Sequence, residues 1–546
     1  MRIVISVVAA AVRYLEHAMR PRSLVLVVFA GTIACGSTDH VVGMLRGDQA
    51  PIGVGGATSG GQTSLSELAG VGGDEPTSGE GGTSDALGGS AGVAGAASCV
   101  PDGNGADCVA LGCGDGVESS TESCDDGNNV NGDGCSAECT WEPAQGTASA
   151  PPYGSAVAIS GDTIVTGPFV FRRQGMLWSL EAKLAPSAPG GGPDPYDDDP
   201  SRSTFANAVA ISGDLIAVGA QNDSEAAEAA GAVHVFQRTG STWVWQQKLL
   251  PTLPDGTVDG INAQHFGWQL AFSDDTLVVG AQSDDDQGPG SGSVYVFRRD
   301  ATRFAPEAKL VATLPSGAPD GGEYFHFGTS VSVSGDRLVV GSAGTFLKSV
   351  TNAAAYVFER SGSVWSSQAK LLATLPDGAP DASTGSLFGA SVAVAGDRIV
   401  IGDPGADFAR GCAYVFVHGD AGWSAVAKLQ APAPLDDGAV ADFGSATAIS
   451  DDAELILIGS PSDAHSGGYS SGSGHAFKRD RAAWVYSGAL LAPIPSEPVN
   501  PFTGSVGSYV AVSGTELLLG SQSTSYLFQP KNDAWDTRLV IPIVAQ

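Results

Sequence analysis

The sequence predicts an all-β protein that ends in a seven-bladed β-propeller of four-stranded blades, preceded by a small disulfide-rich knot and a disordered tether. Charged residues make up only 16% of the chain and there are 75 glycines, which favours short strands and turns over long helices. The 546 residues exceed the limit of roughly 250–300 residues for a single core. An internal repeat divides the C-terminal part into seven similar segments, which predicts a repeat array.

A Phe-Gly dipeptide marks the start of each clear repeat. It begins at Phe266, Phe327 and Phe388, which are 61 residues apart, and at Phe443, which is 55 residues further on. Degenerate copies begin at Tyr153, Phe205 and Val506. We expect each of these aromatic residues to wedge between neighbouring blades and each glycine to allow a close backbone approach.

Every repeat contains four short apolar segments, which predict four strands. One such sheet cannot bury both faces, whereas a closed ring of seven sheets can. An aromatic residue on the fourth segment is predicted to lie in the core. A lysine five residues after it is predicted to be solvated on the other face, because five is an odd offset in a strand. These lysines are Lys183, Lys248, Lys309, Lys370 and Lys428.

The recurring F-G and V-V-G-A phrases, the latter at Val278–Ala281, resemble the FG-GAP repeats of integrin α-subunits and many bacterial surface proteins. Integrin-type repeats place a calcium loop of the D-x-D-x-D-G kind between their first and second strands. The corresponding segment here, Ser334 to Asp336, offers one carboxylate, whereas calcium needs about six to eight oxygens. We therefore expect tight hairpins and no bound calcium in the propeller, and the acidic sixth copy is the one place where a calcium site is the alternative. Its acids are Asp451, Asp452 and Glu454.

Residues 1–35 form the predicted signal region, with translation expected to begin at Met19. Arg20 and Arg22 precede an apolar run at 24–29, which is too short to span a bilayer, and Ala34 and Cys35 follow. This segment resembles a bacterial lipoprotein signal, which implies a diacylglyceryl group on Cys35. The alternative is an ordinary signal cleaved near Ala34. The resulting prediction is an exported lipoprotein of the outer membrane or cell surface or, alternatively, a secreted protein.

Residues 36–98 are predicted to be a disordered tether. They consist mainly of Gly, Ser, Ala and Thr with scattered acids, a composition that cannot bury enough apolar surface to fold. As a flexible coil the tether would hold the folded part about 45 Å, on average, from its anchor. We expect contact with a membrane only through the lipid.

Residues 99–142 form the predicted cysteine-rich disulfide domain. A cluster of six cysteines in an exported chain predicts three disulfides, and their pairing stays open because six cysteines allow about 15 connectivities. The six are Cys99, Cys108, Cys113, Cys124, Cys135 and Cys139. The run from Cys113 onwards resembles the short cysteine-rich repeat found in surface proteins of myxobacteria and related predators. Cys412 lies apart and is predicted to be a buried, free thiol.

Acidic and amide side chains between these cysteines have two interpretations. They are Asp125, Asp126, Asn128, Asn131 and Asp133. Their oxygens could ligate calcium around a turn, or the residues could simply form tight turns between disulfides. We favour turns, because no bidentate Glu follows at the position that closes a calcium loop.

The charge balance and the motifs bear on the function of the propeller, which is predicted to occupy residues 143–546. A net charge of -32 disfavours nucleic-acid binding. We found no catalytic constellation, and the histidines have no metal-ligand spacing. The preferred hypothesis is a monomeric binding or adhesion module with an unknown protein or glycan ligand. The alternative is a polysaccharide lyase or hydrolase with its site at the channel mouth.

Loop length predicts which face of the ring binds a ligand. The connections between strands two and three, and those leading into the next blade, are long, dissimilar and acidic, whereas the other turns are short. Variable loops on a rigid scaffold are where binding usually occurs. The binding candidates on these loops are Asp284, Asp285 and Asp286, and the alternative is that such acids only keep the protein soluble.

Overall fold

The computed structural model describes residues 99–101, 108–110, 148–150, 156–187, 192, 194, 204–260, 264–344, 353–382, 387–432, 441–463, 472–492, 505–521, 524–531 and 534–545. The predicted signal, the tether and most of the cysteine-rich segment fall outside these ranges. Predicted site residues outside them are Cys35, Cys113, Cys124, Cys135, Cys139, Asp125, Asp126, Asn128, Asn131 and Asp133. Among the described residues, no helix is long and apolar enough to cross a membrane.

A short hairpin of strands β1 (Cys99–Pro101) and β2 (Cys108–Ala110) is the first described element. The strands are antiparallel and pair Cys99 with Ala110 and Pro101 with Cys108. Strand β3 (Ala148–Ala150) follows and belongs to the propeller.

Seven antiparallel sheets of consecutive strands confirm the predicted seven-bladed propeller. Blade 1 contains β4 (Val157–Ser160), β5 (Thr163–Thr166), β6 (Phe169–Gln174) and β7 (Leu177–Lys183). Blade 2 contains β8 (Phe205–Ser212), β9 (Leu215–Ala220), β10 (Ala232–Thr239) and β11 (Thr242–Leu249). Blade 3 contains β12 (Leu270–Ser273), β13 (Thr276–Ala281), β14 (Ser293–Arg299) and β15 (Phe304–Leu310). Blade 4 contains β16 (Ser330–Ser334), β17 (Arg337–Ser342), β18 (Ala354–Ser361) and β19 (Val364–Leu371).

The remaining blades repeat this order. Blade 5 contains β20 (Ser391–Ala395), β21 (Arg398–Asp403), β22 (Cys412–Gly419) and β23 (Gly422–Leu429), with helix α1 (Ala406–Ala409) between its second and third strands. Blade 6 contains β24 (Ala446–Ile449), β25 (Leu455–Ser460), β26 (Ser473–Asp480) and β27 (Ala483–Leu490). Blade 7 contains β28 (Tyr509–Ser513), β29 (Glu516–Gly520), β30 (Thr524–Lys531) and β31 (Ala534–Ala545).

The ring closes by contact between blades 7 and 1. Their inner strands β28 and β4 pack together, as successive inner strands do around the ring. A repeated hydrogen bond joins neighbouring blades, in which a turn glycine donates its N–H to the serine at the end of the previous inner strand. Gly335 donates to Ser273 over 2.9 Å, and Gly161 donates to Ser513 over 3.1 Å across the closure. In addition, β3 pairs in parallel with β31 and gives blade 7 a fifth strand.

The Phe-Gly dipeptides lie between blades as predicted. Phe327 is fully buried among core residues of blades 3 and 4 and meets the ring of Tyr356 edge-on, with centroids 5.5 Å apart. Gly328 has a φ of 90°, and a Cβ there would lie 2.6 Å from the carbonyl oxygen of Ser293. A side chain at this glycine would therefore separate the two blades.

The aromatic residues of the fourth strands also contribute to the core, as predicted. Trp178 and Trp365 are buried, and Trp243 is half-buried against the core between blades 1 and 2. Indole N–H groups bridge neighbouring blades, since Trp243 donates to Glu181 and Trp365 donates to Glu307, each over 2.8 Å.

Candidate binding face

The two ends of the propeller differ in the length of their connections. One end, here called the turn face, consists of the hairpins between first and second strands and between third and fourth strands. In blade 4 the second of these has two residues, since Ser361 pairs with Val364. The first is also a two-residue turn, because Ser334 pairs with Arg337 across Gly335, whose φ is 58°. The predicted tight hairpins are thus confirmed.

Acids on the turn face are paired with arginines of the same blade. Asp214 accepts a 2.9 Å hydrogen bond from Arg238, and Asp336 pairs with Arg360. In the sixth copy, Glu454 accepts a 2.5 Å hydrogen bond from Arg479, and Asp452 accepts one of 2.5 Å from Ser450. Each of these acids thus has a hydrogen-bonding or ion-pair partner within its own blade.

The opposite end, here called the loop face, carries the long connections. The loop between β13 and β14 pairs with the segment that leads from blade 3 into blade 4. Tyr324 donates its backbone N–H to Pro289 over 2.7 Å, and His326 donates to Gly290 over 3.0 Å. Two variable loops therefore form one continuous surface. The side chain of Tyr324 is 45% exposed on it, with a φ of 58°.

A lysine surrounded by three carboxylates holds this part of the loop face. Lys309 Nζ lies 2.6 Å from Asp259, 3.0 Å from Asp284 and 2.7 Å from Asp286. It also lies over the ring of Tyr295, 5.3 Å from the centroid. Asp259 comes from the loop that leads out of blade 2, so this group, here called the Lys309 cage, joins two blades to the loop between β13 and β14.

Asp284 is at the centre of the Lys309 cage and is fully buried. Its carboxylate accepts a 3.0 Å hydrogen bond from Ser293 and one of the same length from the backbone of Asp286, and it also bonds Gln264. Burial opposes ionisation, but the ammonium of Lys309 and these donors outweigh it and hold the pKa of Asp284 below its ordinary value. The Asp284 carboxylate is thus a buried negative charge whose partners all lie within the loop face.

The other two predicted binding acids lie nearer the solvent. Asp285 accepts a 2.6 Å hydrogen bond from the backbone N–H of Gly290 and closes its own loop. The side chain of Asp286 is 39% exposed and uses one oxygen for Lys309. A ligand could reach Asp286 more readily than Asp284, and a role of these acids in ligand binding stays a prediction.

Blade 2 contains an equivalent cage with a buried histidine. Lys248 lies 2.7 Å from Asp194, 2.7 Å from Asp223 and 2.8 Å from Glu225. Burial works against its charge, but the three carboxylates outweigh it and raise the pKa of Lys248 to about 12. Burial, aided by the Lys248 charge, lowers the pKa of His234 to about 4, so this imidazole is neutral.

Simpler pairs occupy the same place in blades 4 and 5. Lys370 lies 2.7 Å from Asp320, and Lys428 lies 2.7 Å from Asp381. In each pair the aspartate also accepts a hydrogen bond from the tyrosine beneath the ammonium. Tyr356 donates to Asp320 over 2.5 Å, and Tyr414 donates to Asp381 over 2.7 Å.

The prediction that these lysines are solvated on the face opposite the aromatic residue was wrong for Lys248, Lys309, Lys370 and Lys428, and a β-bulge is the reason, whereas Lys183 in blade 1 is exposed as predicted. In β11, Trp245 pairs with Phe236 whereas Gln247 pairs with Val235, so one extra residue is inserted. The bulge turns the odd offset between Trp243 and Lys248 into an even one and places both on the same face. The Lys248 side chain is consequently only 3% exposed. The same register shift occurs in blades 3, 4 and 5.

Blade 6 has no lysine at this position and instead gathers a serine, a histidine and an aspartate. Ser473 Oγ lies 2.6 Å from Asp463 and 3.0 Å from Nε2 of His475. Asp463 also approaches Nε2, at 3.5 Å, while Nδ1 lies 3.3 Å from the hydroxyl of Tyr486. A nucleophile triad needs the serine and the acid on different ring nitrogens. Because both share Nε2 and Ser473 is fully buried, the cluster lacks that geometry.

Cys412 confirms the prediction of a buried, free thiol. It opens β22 and is fully buried in the core between blades 4 and 5. Burial raises the pKa of its thiol to about 12, which keeps it protonated at neutral pH. A protonated buried thiol is a poor nucleophile.

The inner strands of all seven blades surround a channel of about 360 Å³. Its lining, over the part of the chain that the structure describes, contains small aliphatic residues, hydroxyls and amides, with no carboxylate, imidazole, amine, guanidinium or thiol. Polar groups such as Asn207 and Gln269 begin the inner strands at the loop face. The phenol of Tyr509 is the titratable side chain of this described lining, and burial raises its pKa.

The fold is a seven-bladed β-propeller in which ion pairs and hydrogen bonds hold the long loops of one face in place. Four of its segments match the family model of the FG-GAP repeat, at residues 196–236, 243–297, 307–358 and 365–416. Each of the last three begins on the fourth strand of one blade and ends on the third strand of the next. These matches support the FG-GAP resemblance read from the Phe-Gly repeats.

The solved structures that are similar to this chain include those of two other proteins, PpgL and Sqt1. The periplasmic gluconolactonase PpgL of Pseudomonas aeruginosa is 13% identical, with a TM-score of 0.42, covering 72% of this chain and 97% of its own. Sqt1 of Chaetomium thermophilum is 14% identical, with a TM-score of 0.38, covering 69% of this chain and 82% of its own. No curated protein matched the sequence.

Sequence reasoning missed the lysine cages, although the repeat contained a signal for them. Asp259, Asp320 and Asp381 recur at the same 61-residue interval as the Phe-Gly dipeptides. An acid that recurs in an otherwise variable loop indicates a fixed partner. The partners are Lys309, Lys370 and Lys428.

Proposed function

We propose that this protein is an exported binding or adhesion module that presents its propeller on a lipid-anchored tether and recognises a protein or glycan ligand through the loop face. The observation that carries the proposal is the difference between the two faces. Two-residue hairpins leave the turn face little room to vary, whereas the long loops are held in place by buried ion pairs such as Lys309 with Asp284. A rigid scaffold that fixes variable loops suits recognition.

The electrostatics of the described residues favour binding over the rival lyase or hydrolase. The buried acids of the loop-face cages are Asp194, Asp223 and Asp284, and each is ion-paired with a lysine, so none offers the free carboxyl that an acid or base catalyst uses. The channel lining carries no charged group among those residues. The serine and histidine of blade 6 are buried, and with Asp463 they form a non-catalytic arrangement.

A ligand screen with a parallel activity assay tests this function. The purified protein is applied to a glycan array and used for a pull-down from cell envelopes, and polysaccharides are incubated with it and analysed for new reducing or unsaturated ends. We expect retention of a ligand and no new ends. Release of new ends without a retained ligand would overturn the proposal in favour of the enzyme.

The N-terminal part of the proposal has its own test. Cys35 should begin the mature chain and carry an acyl modification if the lipoprotein signal is used. Mass spectrometry of the native N-terminus reads this directly. An unmodified N-terminus beyond Cys35 would contradict the anchor while leaving loop-face recognition intact.

A further inference from the structure

The channel is polar at one end and apolar at the other. At the loop face it is lined by the side chains that begin the inner strands, including Asn207, Gln269, Ser445, Ser508 and Tyr509. At the turn face the lining residues are apolar, including Ile211, Phe272, Val394, Ile449 and Val512. Because the inner strands all run from the loop face to the turn face, the two sets lie at opposite ends. A polar ligand group would therefore enter from the loop face.

Several polar groups of this channel have unused hydrogen-bonding capacity. Within the described part of the chain, the hydroxyl of Thr447 is buried and has no hydrogen-bond partner. Gln269 and Tyr509, which also line the channel, are only partly buried, so their amide and hydroxyl are open to a hydrogen-bond partner in the channel. By contrast, the lining serines Ser330 and Ser391 donate to backbone carbonyls of the next blade over 2.8 and 2.9 Å. Buried polar groups are usually paired, so the unpaired hydroxyl of Thr447 points to a ligand in the channel.

The polar end of the channel is continuous with the loop face. The amides of Asn207 and Gln221 lie 3.1 Å apart, and the Asn207 amide lies 3.5 Å from the carbonyl oxygen of Trp268. Trp268 holds the same place in its repeat as Asn207 and Ser445 and is half-buried.

We propose that the loop-face end of this channel binds one neutral sugar residue of a glycan ligand. The inference rests on the proposed function and names the ligand class for that face. Amides and hydroxyls both donate and accept hydrogen bonds, as sugar hydroxyls do, and the absence of charge in the described lining removes the basis for selecting an ion. The volume of about 360 Å³ falls within the roughly 300–1,000 Å³ of small-molecule pockets.

Saturation-transfer NMR with the full-length protein tests the site. The probes are methyl glycosides of glucose, galactose, mannose and N-acetylglucosamine, with glucuronate as a charged comparison. We expect transfer to a neutral glycoside, with affinity roughly fivefold weaker in Gln269→Ala and in Tyr509→Phe, because each loses one hydrogen bond. Val364→Ala, on the turn face, should match the wild type.

Three results would overturn the channel site: transfer to none of the neutral glycosides, stronger transfer to glucuronate, or unchanged affinity in Tyr509→Phe. That variant removes one oxygen and keeps the ring, so it decides the matter if Gln269→Ala does not fold. Thermal unfolding of each variant shows whether it is folded. If Tyr324→Ala abolishes capture of an array ligand while Tyr509→Phe retains it, the loop-face function stands and only the channel site is wrong.

Discussion

The ammonium of Lys309 lies 3.0 Å from the carboxylate of Asp284, which is fully buried beneath the loop face. Two further acids, Asp259 and Asp286, approach the same nitrogen from different loops. The lysine thus takes the place that a bound cation occupies in many surface loops. The ordered conformation of these loops therefore depends on Lys309, a side chain of a blade strand.

Removal of Lys309 should destabilise the propeller strongly. Lys309→Met leaves Asp284 as an uncompensated buried charge, which typically costs about 3–5 kcal/mol. The matched variant Lys370→Met breaks a pair whose side chains are 25% and 21% exposed, so the expected cost is about 1 kcal/mol or less. Urea unfolding of both variants measures the difference. Equal losses would show that the Lys309 cage contributes no more than a surface pair.

A calcium ion should replace the missing ammonium. The three acids of the Lys309 cage place carboxylate oxygens within 4.8 Å of one another, as ligands of one ion are. In Lys309→Ala we expect calcium to raise the unfolding temperature by several degrees, and a chelator to reverse this. Lys370→Ala, which frees only Asp320, serves as the control and should show no such response. A calcium response shared by both variants would contradict the prediction.

Mild acid should destabilise the protein in part through His234. Histidine titrates near pH 6.5 in an unfolded chain, whereas burial lowers the pKa of His234 to about 4 in the folded state. The unfolded chain therefore binds a proton first, and about 3 kcal/mol of stability is lost as the pH falls from 6.5 to 4. His234→Phe should lose less between pH 7 and 4.5, measured by urea unfolding. An unchanged pH dependence would contradict this account.

Cys412 should resist alkylation until the protein unfolds. Its thiol is fully buried and burial raises its pKa to about 12, so little thiolate exists at pH 8. Iodoacetamide followed by non-reducing peptide mapping should find Cys412 unlabelled in the native protein and labelled in guanidinium. The same maps count the disulfides predicted for 99–139. Rapid native labelling, or a bridge from Cys412 to that cluster, would refute the assignment.

The fold was predictable because each repeat carries the signals for its own strands and turns within a short stretch of sequence. The Phe-Gly interval and the two-residue turns indicate strands and their order without any long-range information. Phe327 lies where its repetition predicted, between two blades. The fifth strand of blade 7 was not predictable, because Ala148–Ala150 carry no pattern that distinguishes a strand from a linker.

The candidate site was predicted less well, for two physical reasons. Asp284 was recognised as a loop acid, but burial depends on Lys309, which lies 25 residues away and on the unexpected face. A bulge opposite Val296 and Phe297 in blade 3 moves Lys309 to the other face of its strand. No clear pattern in the sequence indicates this bulge. The channel lining also depends on which residues begin seven separate strands. Contacts between repeats, unlike those within one, are not visible in local pattern.

Paired substitutions on the two faces test the central claim, that recognition occurs on the loop face. Tyr324 is 45% exposed on the loop face, and Val364 is 66% exposed at a hairpin of the turn face. Affinity for the ligand retained on the array or in the pull-down is measured for Tyr324→Ala and Val364→Ala, with thermal unfolding as the folding control. Exposed aromatic residues often contribute about 2 kcal/mol or more to an interface, so Tyr324→Ala should weaken binding at least tenfold and Val364→Ala should leave it unchanged. Full affinity in Tyr324→Ala together with a large loss in Val364→Ala would place recognition on the turn face and contradict the account.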